Sequence, residues 1–151
     1  MRTAEIEIRI GYITDAVNEL SKHLPDKRED FIRLGMVKHG IYKKAEFALQ
    51  NVIDICSIIH ADLSLGIPES EDDIFDHLEN HQVFDSHVVS IIREMKKFRN
   101  VLVHRYGEID DALAFKTLKE DSKDFITVVK AFEEAIEKEK IKQEKPKKKP
   151  H

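Results

Sequence analysis

Within thirteen residues, the stretch Met95-Lys-Lys-Phe-Arg99-Asn100-Val-Leu-Val-His104-Arg105-Tyr106-Gly107 gathers four cations, an imidazole, a carboxamide and a phenol around an apolar Val-Leu-Val. These residue types suit cleavage of RNA without a metal. Such a reaction needs a group to take the proton of a ribose 2′-hydroxyl and another to protonate the leaving 5′-oxygen. It also needs positive charge to hold the phosphorane. Histidine is the side chain whose ordinary pKa permits either proton task near neutrality, and the arginine fork matches phosphate geometry. His104 and Arg99 supply one of each. A single histidine does not easily act as acid and base in one step, so the chemistry calls for two copies apposed across the two-fold axis of a homodimer. The same string has a structural reading. Cations and histidine near a helix C-terminus are favoured by the dipole by about 0.3–1 kcal/mol each, and Gly107 then makes an ordinary helix stop.

On a regular helix, at about 100° per residue, Asn100 and His104 fall within about 40° of each other and Arg99 and Tyr106 within about 20°. The two pairs look in directions more than about 100° apart. All four line one cleft only where helices cross, or where the helix loosens near Val103. A second constellation is Asp73, His77 and His81, whose i, i+4, i+8 spacing puts them on one side of a helix. No fourth ligand stands nearby in sequence, so a solvated polar face is expected and no metal is assigned. Cys56 lies on an apolar helical face and reads as a small hydrophobe. There is no G-x-G-x-x-G, P-loop, H-E-x-x-H or paired cysteine, and no cofactor is implied.

The elements that must position these residues repeat with a helical period. Ile6, Ile10, Ile13, Val17, Leu20 and Leu24 form one stripe, ended by Pro25. A second helix is expected from about Asp30 to Leu63, burying Phe31, Leu34, Ile41, Ala45, Leu49, Val52, Cys56, Ile59 and Leu63, with a bend or break near Gly35 and Gly40 and a stop at Gly66 and Pro68. Ser70-Glu-Asp-Asp73 has the form of a capping box and opens a short helix through about His81. Ser86 is expected to cap the next, carrying Val88, Ile91, Ile92, Met95, Phe98 and Leu102. The last runs from about Asp110 to Lys138 and packs through Leu113, Leu118, Phe125, Val128, Val129, Phe132 and Ile136. The fold expected is all-α, a single antiparallel bundle of four long helices and one short one over residues 1–137, followed by a basic, disordered tail over 138–151.

Composition agrees. The chain has 151 residues, 36% charged and 41% apolar, with 5 Gly, 4 Pro and no Trp, too few turn formers for a sandwich or barrel. Residues 138–151 hold seven Lys against two Glu, leaving the body with 18 basic and 27 acidic side chains. An acidic body offers no broad nucleic-acid surface, so any contact with RNA is local or helped by the tail. The opening residues lack the hydrophobic stretch of a signal peptide, no apolar run reaches the ~18 residues of a membrane span, and one cysteine makes no internal disulfide. A cytoplasmic location is expected.

The string Arg99-Asn100-x-x-x-His104-x-Tyr106 resembles the R-x-x-x-x-H-x-Y motif of the HEPN superfamily, specifically the HepT-like toxins of MntA/HepT toxin–antitoxin pairs. A Phe-Arg-Asn-x-x-x-His-x-Tyr run closing the penultimate long helix, and Ala48-Leu49-Gln50…Ile53-Asp54-Ile55-Cys56 in the second, extend the resemblance over about residues 5–137. It implies a homodimeric, metal-independent ribonuclease toxin with a composite cleft at the dimer interface. His104 is then the acid/base, Arg99 the phosphate clamp and Asn100 a helper that orients them. Tyr106 matches the tyrosine that a partner nucleotidyltransferase antitoxin modifies with AMP, which would repel RNA phosphate and fill the cleft. Asp54 is a candidate partner for a cleft cation. The alternative is a non-catalytic HEPN module that binds a nucleotide or the nucleotidyltransferase. A third reading keeps only the structural role of the cationic helix end.

Overall fold

The computed structural model describes residues 1–144, which are helical almost throughout. Six α-helices follow in order: α1 (Thr3–His23), α2 (Arg28–Ile32), α3 (Met36–Asp62), α4 (Glu71–Asn80), α5 (Ser86–His104) and α6 (Asp111–Glu144), with a 3₁₀ turn at Tyr106–Glu108 between the last two. α1 packs on α3, α3 on α5, α5 on α6, and α6 returns to α1, while α4 lies against α3 and α5. The four long helices and the short α4 are those expected from sequence. α2 is an addition, because the second expected helix breaks at Gly35. There the backbone takes φ +58° and ψ −123°, a conformation open to glycine and strained for any residue with a Cβ. Phe31 of the detached turn is nevertheless fully buried, resting against Tyr42 and Phe115.

α3 is the central helix. Its second half is covered nearly all round, with Leu49, Val52, Ile53, Ile55, Cys56 and Ile59 in the core, so one stripe understates what it buries. The helix stops earlier than Gly66. Ser64 takes a left-handed φ of 54°, letting the Leu65 and Ser64 amides bond back to the His60 and Ala61 carbonyls, the Schellman closure. At α4 the capping serine behaves as expected: Ser70 Oγ accepts from the Asp73 amide at 3.1 Å, and the Asp73 carboxylate accepts from the Glu69 amide at 2.9 Å. At α5 the cap is Asp85, not Ser86; its carboxylate accepts from the Val88 amide at 2.9 Å, a bond that an aspartate one residue earlier reaches equally well.

α6 departs from expectation at both ends. Leu113 is 61% exposed, and Ala114 and Phe115 are buried in its place. Leu113 lies about 140° round the helix from Leu118, off the stripe that Leu118, Phe125 and Phe132 define. At the other end the helix runs to Glu144, past the expected stop at Lys138, with Lys140 Nζ 3.5 Å from Glu7 of α1. The boundary drawn at residue 137 therefore does not coincide with the end of a helix, and residues 145–151 of the expected tail lie outside the described residues. Among the described residues no helix is long and apolar enough to cross a membrane.

Candidate functional site

Arg99 sits on α5 where α3 and α4 converge, and it is 8% exposed. Its guanidinium is held on three sides. Nε donates to Asn100 Oδ1 at 2.9 Å, Nη1 donates to Gln50 Oε1 at 2.7 Å, and Nη2 pairs with the Glu71 carboxylate at the start of α4. Gln50 passes the connection on. Its Nε2 donates to Asp54 Oδ1 at 2.9 Å, and Asp54 Oδ2 receives Arg9 Nη1 of α1 at 3.1 Å. Arg9 also donates to Asn51 Oδ1 at 3.1 Å. Asp54 thus serves a cation directly, but that cation is Arg9; Arg99 is reached through Gln50. The buried Arg99 and the half-buried Arg9 are fixed by one amide–carboxylate relay, and only one orientation of the Gln50 amide satisfies both neighbours.

The cations around Arg99 are likewise committed. Lys96 Nζ lies 3.0 Å from Asp72 and Lys97 Nζ 2.9 Å from Glu94. Arg93, one turn earlier on α5, pairs with Asp72 at 3.5 Å and with Asp76. The acidic face of α4 therefore neutralises the basic face of α5. Of the four cations in the motif, Arg105 alone makes no ion pair among the described residues. The region is not an open basic patch, in keeping with the acidic body.

Beyond Arg99 the helix emerges from the core. Leu102 is buried, and His104, the last residue of α5, is exposed. No hydrogen bond holds its ring among the described residues. Arg105 then leaves helical geometry at φ −131° and ψ 32°, and Tyr106 falls in the 3₁₀ turn. The helical projection that paired Tyr106 with Arg99 therefore does not apply, because the helix ends before Tyr106. Tyr106 is 41% exposed. Its hydroxyl is hydrogen-bonded to Nδ1 of His39, in the second turn of α3, and its ring meets Tyr42 edge-on with centroids 6.0 Å apart. Partial burial, reinforced by Asp111 and Glu46 and opposed by Lys38, raises the Tyr106 pKa above the ordinary phenol value.

Tyr42 and Lys38 close the far side of this cradle. Tyr42 Oη donates to Asp111 Oδ1 at 2.5 Å and Lys38 Nζ to Oδ2 at 2.8 Å. Burial opposes ionisation of Asp111, but these two bonds outweigh it and hold the carboxyl below its ordinary value. Burial, with that carboxylate adding to it, pushes the Tyr42 phenol up.

The sequence does not single out His39, Gln50 or Glu71 for chemistry. Gln50 and Asp54 carry a trace in sequence, two polar residues at i, i+4 on a mostly apolar helix. Asp73 caps α4, and His77 stacks on His60, Nδ1 to Nε2 at 2.7 Å. Burial, then the neighbouring His77 and His81, lower the His60 pKa. Cys56 is fully buried, and burial pushes its thiol pKa up, as suits a core hydrophobe.

The bundle thus holds an arginine in the last third of α5, a histidine at the helix end and a tyrosine in the turn beyond it. The sequence profile of the family described as "Ribonuclease HepT-like" matches residues 13–132, and the chain belongs to that family of ribonucleases. Similar proteins include a putative RNase of Archaeoglobus fulgidus, 22% identical over 138 residues that make up 91% of this chain and 98% of that one. The mRNA nuclease HepT of Shewanella oneidensis is 32% identical over 82 residues, 52% of this chain and 62% of that protein. Among solved structures, the tri-AMPylated HEPN toxin of Shewanella oneidensis in complex with MNT antitoxin superposes with a TM-score of 0.77 at 20% identity, covering 85% of this chain and 96% of that one. At that identity the likeness is one of fold.

Proposed function

We propose that this chain is the toxin of a toxin–antitoxin pair, a metal-independent endoribonuclease neutralised when a partner nucleotidyltransferase adenylylates Tyr106. The observation that carries the reading is the contrast along one stretch of chain: Arg99 rigidly oriented, His104 free at the helix end, and Tyr106 partly exposed immediately after it. In this reading His104 acts on the proton of the 2′-hydroxyl in one protomer and on that of the 5′-oxygen in the other. Arg99 turns its remaining N–H donors to the phosphate, with Asn100 fixing Nε. Support for the two-fold pairing comes from the apolar surface around the motif. Val103 and Leu113 are exposed, and Val101, Ile109 and Leu113 line a groove between α5 and α6 that a second copy would cover. An AMP group on Tyr106 would add a negative phosphodiester and a base two residues from His104. The lone buried Cys56 fits a reducing cytoplasm.

A second reading has its own observation. Glu71, Gln50 and Asn100 already occupy Arg99, as a non-catalytic module that binds a nucleotide or the nucleotidyltransferase would tolerate. The deciding experiment uses purified full-length chain. RNA cleavage that persists in EDTA, with an intact-mass gain of one or more AMP groups after incubation with the partner and ATP, supports the toxin reading. That gain should vanish in Tyr106→Phe. Partner binding without RNA turnover supports the module instead.

A further inference from the structure

We propose that His39 is the base that activates Tyr106 for nucleotidyl transfer. The proposal rests on the reading of Tyr106 as the modified residue, and deepens it by naming the group that takes the proton. A phenol attacks a phosphorus well only as it loses its proton, and the surroundings of Tyr106 favour the protonated form. An acceptor at the oxygen is therefore required. His39 Nδ1 stands in hydrogen-bond contact with that oxygen, and the two rings lie 5.6 Å apart, tilted by 42°.

The other groups around Tyr106 are occupied. Tyr42 donates its hydroxyl hydrogen bond to Asp111, and Lys38 holds the second oxygen of that carboxylate. This pairing ties the second turn of α3 to the start of α6, so the helix that carries His39 and the segment that follows Tyr106 are fixed relative to each other. His39 itself is exposed, with no second hydrogen bond among the described residues, so a proton it accepts can pass on to water.

The step balances without any further reactant beyond a nucleoside triphosphate. The phenolic proton moves to Nδ1 of a neutral His39 whose proton sits on Nε2. The phenolate oxygen bonds to the α-phosphorus, the bond from that phosphorus to the bridging oxygen breaks, and pyrophosphate leaves with the electron pair. The imidazolium then gives its Nε2 proton to solvent.

The test is single-turnover adenylylation of the full chain with saturating partner nucleotidyltransferase and ATP, read by intact mass between about pH 6.5 and 9.5, below and approaching phenol ionisation. His39→Gln keeps a polar group near the oxygen without a basic nitrogen. It should be at least ~100-fold slower near neutrality, and its rate should climb with pH until it approaches the wild type. Added imidazole should restore part of the rate in His39→Ala. A circular-dichroism melt close to the wild type's establishes that the variants fold. A His39→Gln rate equal to the wild type's, or lower by one constant factor at every pH, overturns the role of His39 alone. Wild-type chain that gains no AMP on Tyr106 overturns the reading of the tyrosine itself, and this proposal with it.

Discussion

Arg99 and His104 stand five residues apart on one helix and live in opposite environments. Arg99 is buried, and three residues drawn from α3, α4 and α5 hold its guanidinium. His104 is exposed at the helix end and touches no polar partner among the described residues. In the proposed function, the difference separates two requirements of one site. A group that orients phosphate gains from being fixed in advance, because its ordering is completed on folding. A group that exchanges protons with substrate gains from being free to receive it. The Gln50–Asp54–Arg9 relay puts the cost of that rigidity into the fold, and the bare end of α5 keeps the histidine open.

The largest expected effects follow from that contrast. His104→Ala should lower RNA cleavage by about a thousandfold, within the range for loss of a general acid–base. It should change the unfolding free energy by less than about 0.5 kcal/mol, as for exposed side chains without partners. Arg99→Ala should fail on both counts. Besides weakening cleavage, it leaves Glu71 unpaired and Gln50 and Asn100 each short of a donor, destabilising the fold by about 2 kcal/mol. Urea unfolding beside an RNA cleavage assay reads both. Equal stability losses in the two variants would erase the distinction.

Burial with partners can be set against burial without them. Asp121 of α6 is 7% exposed, and its Oδ2 has no hydrogen-bond partner among the described residues. Burial first, then Asp124 and Glu120, push its pKa up to about 7. The folded state therefore keeps a proton that the unfolded chain, with an ordinary carboxyl near about 4, has already shed. The contribution of Asp121 to stability is full below about pH 4 and is lost as pH rises through about 7. Asp121→Asn removes that loss. It should be more stable than the wild type by about 2 kcal/mol at about pH 8 and by much less at about pH 4.5. Urea titrations at the two pH values check this, and a gain of equal size at both would show that Asp121 is not held protonated.

The same contrast marks what the sequence could disclose. The stripes of α1, α3 and α5 were legible because an apolar residue every three or four positions can be satisfied only against a core. Gly35 was legible as one of two places for a bend or break, but the positive φ that fixes the break there was not, since composition does not reveal it. Leu113 misled because its hydrophobicity outweighed its phase. The motif from Arg99 to Tyr106 was local and readable. Its supports were not: Gln50 and Glu71 reach Arg99 across 49 and 28 residues, and pairings between helices leave no period in the chain. His39 is a lone exposed histidine in sequence. Only the 3₁₀ turn after His104 brings Tyr106 against it.

Glu71→Gln probes the arginine most gently, and its outcome separates the two functional readings. The Glu71 side chain is 33% exposed and that of Arg99 only 10%, so the pair is partly screened and its loss should cost less than about 1 kcal/mol of stability. Glutamine still accepts a hydrogen bond, which keeps Arg99 in place, but the compensating negative charge is gone. If Arg99 meets phosphate, binding of a 2′-deoxy-substituted, uncleavable oligonucleotide should tighten by about two- to threefold, and its salt dependence should steepen by about one phosphate contact. Fluorescence anisotropy across a salt series measures both. Unchanged affinity and slope would mean that the guanidinium serves only to join α3, α4 and α5. The chemistry would then rest on His104 without a clamp, which favours the non-catalytic module.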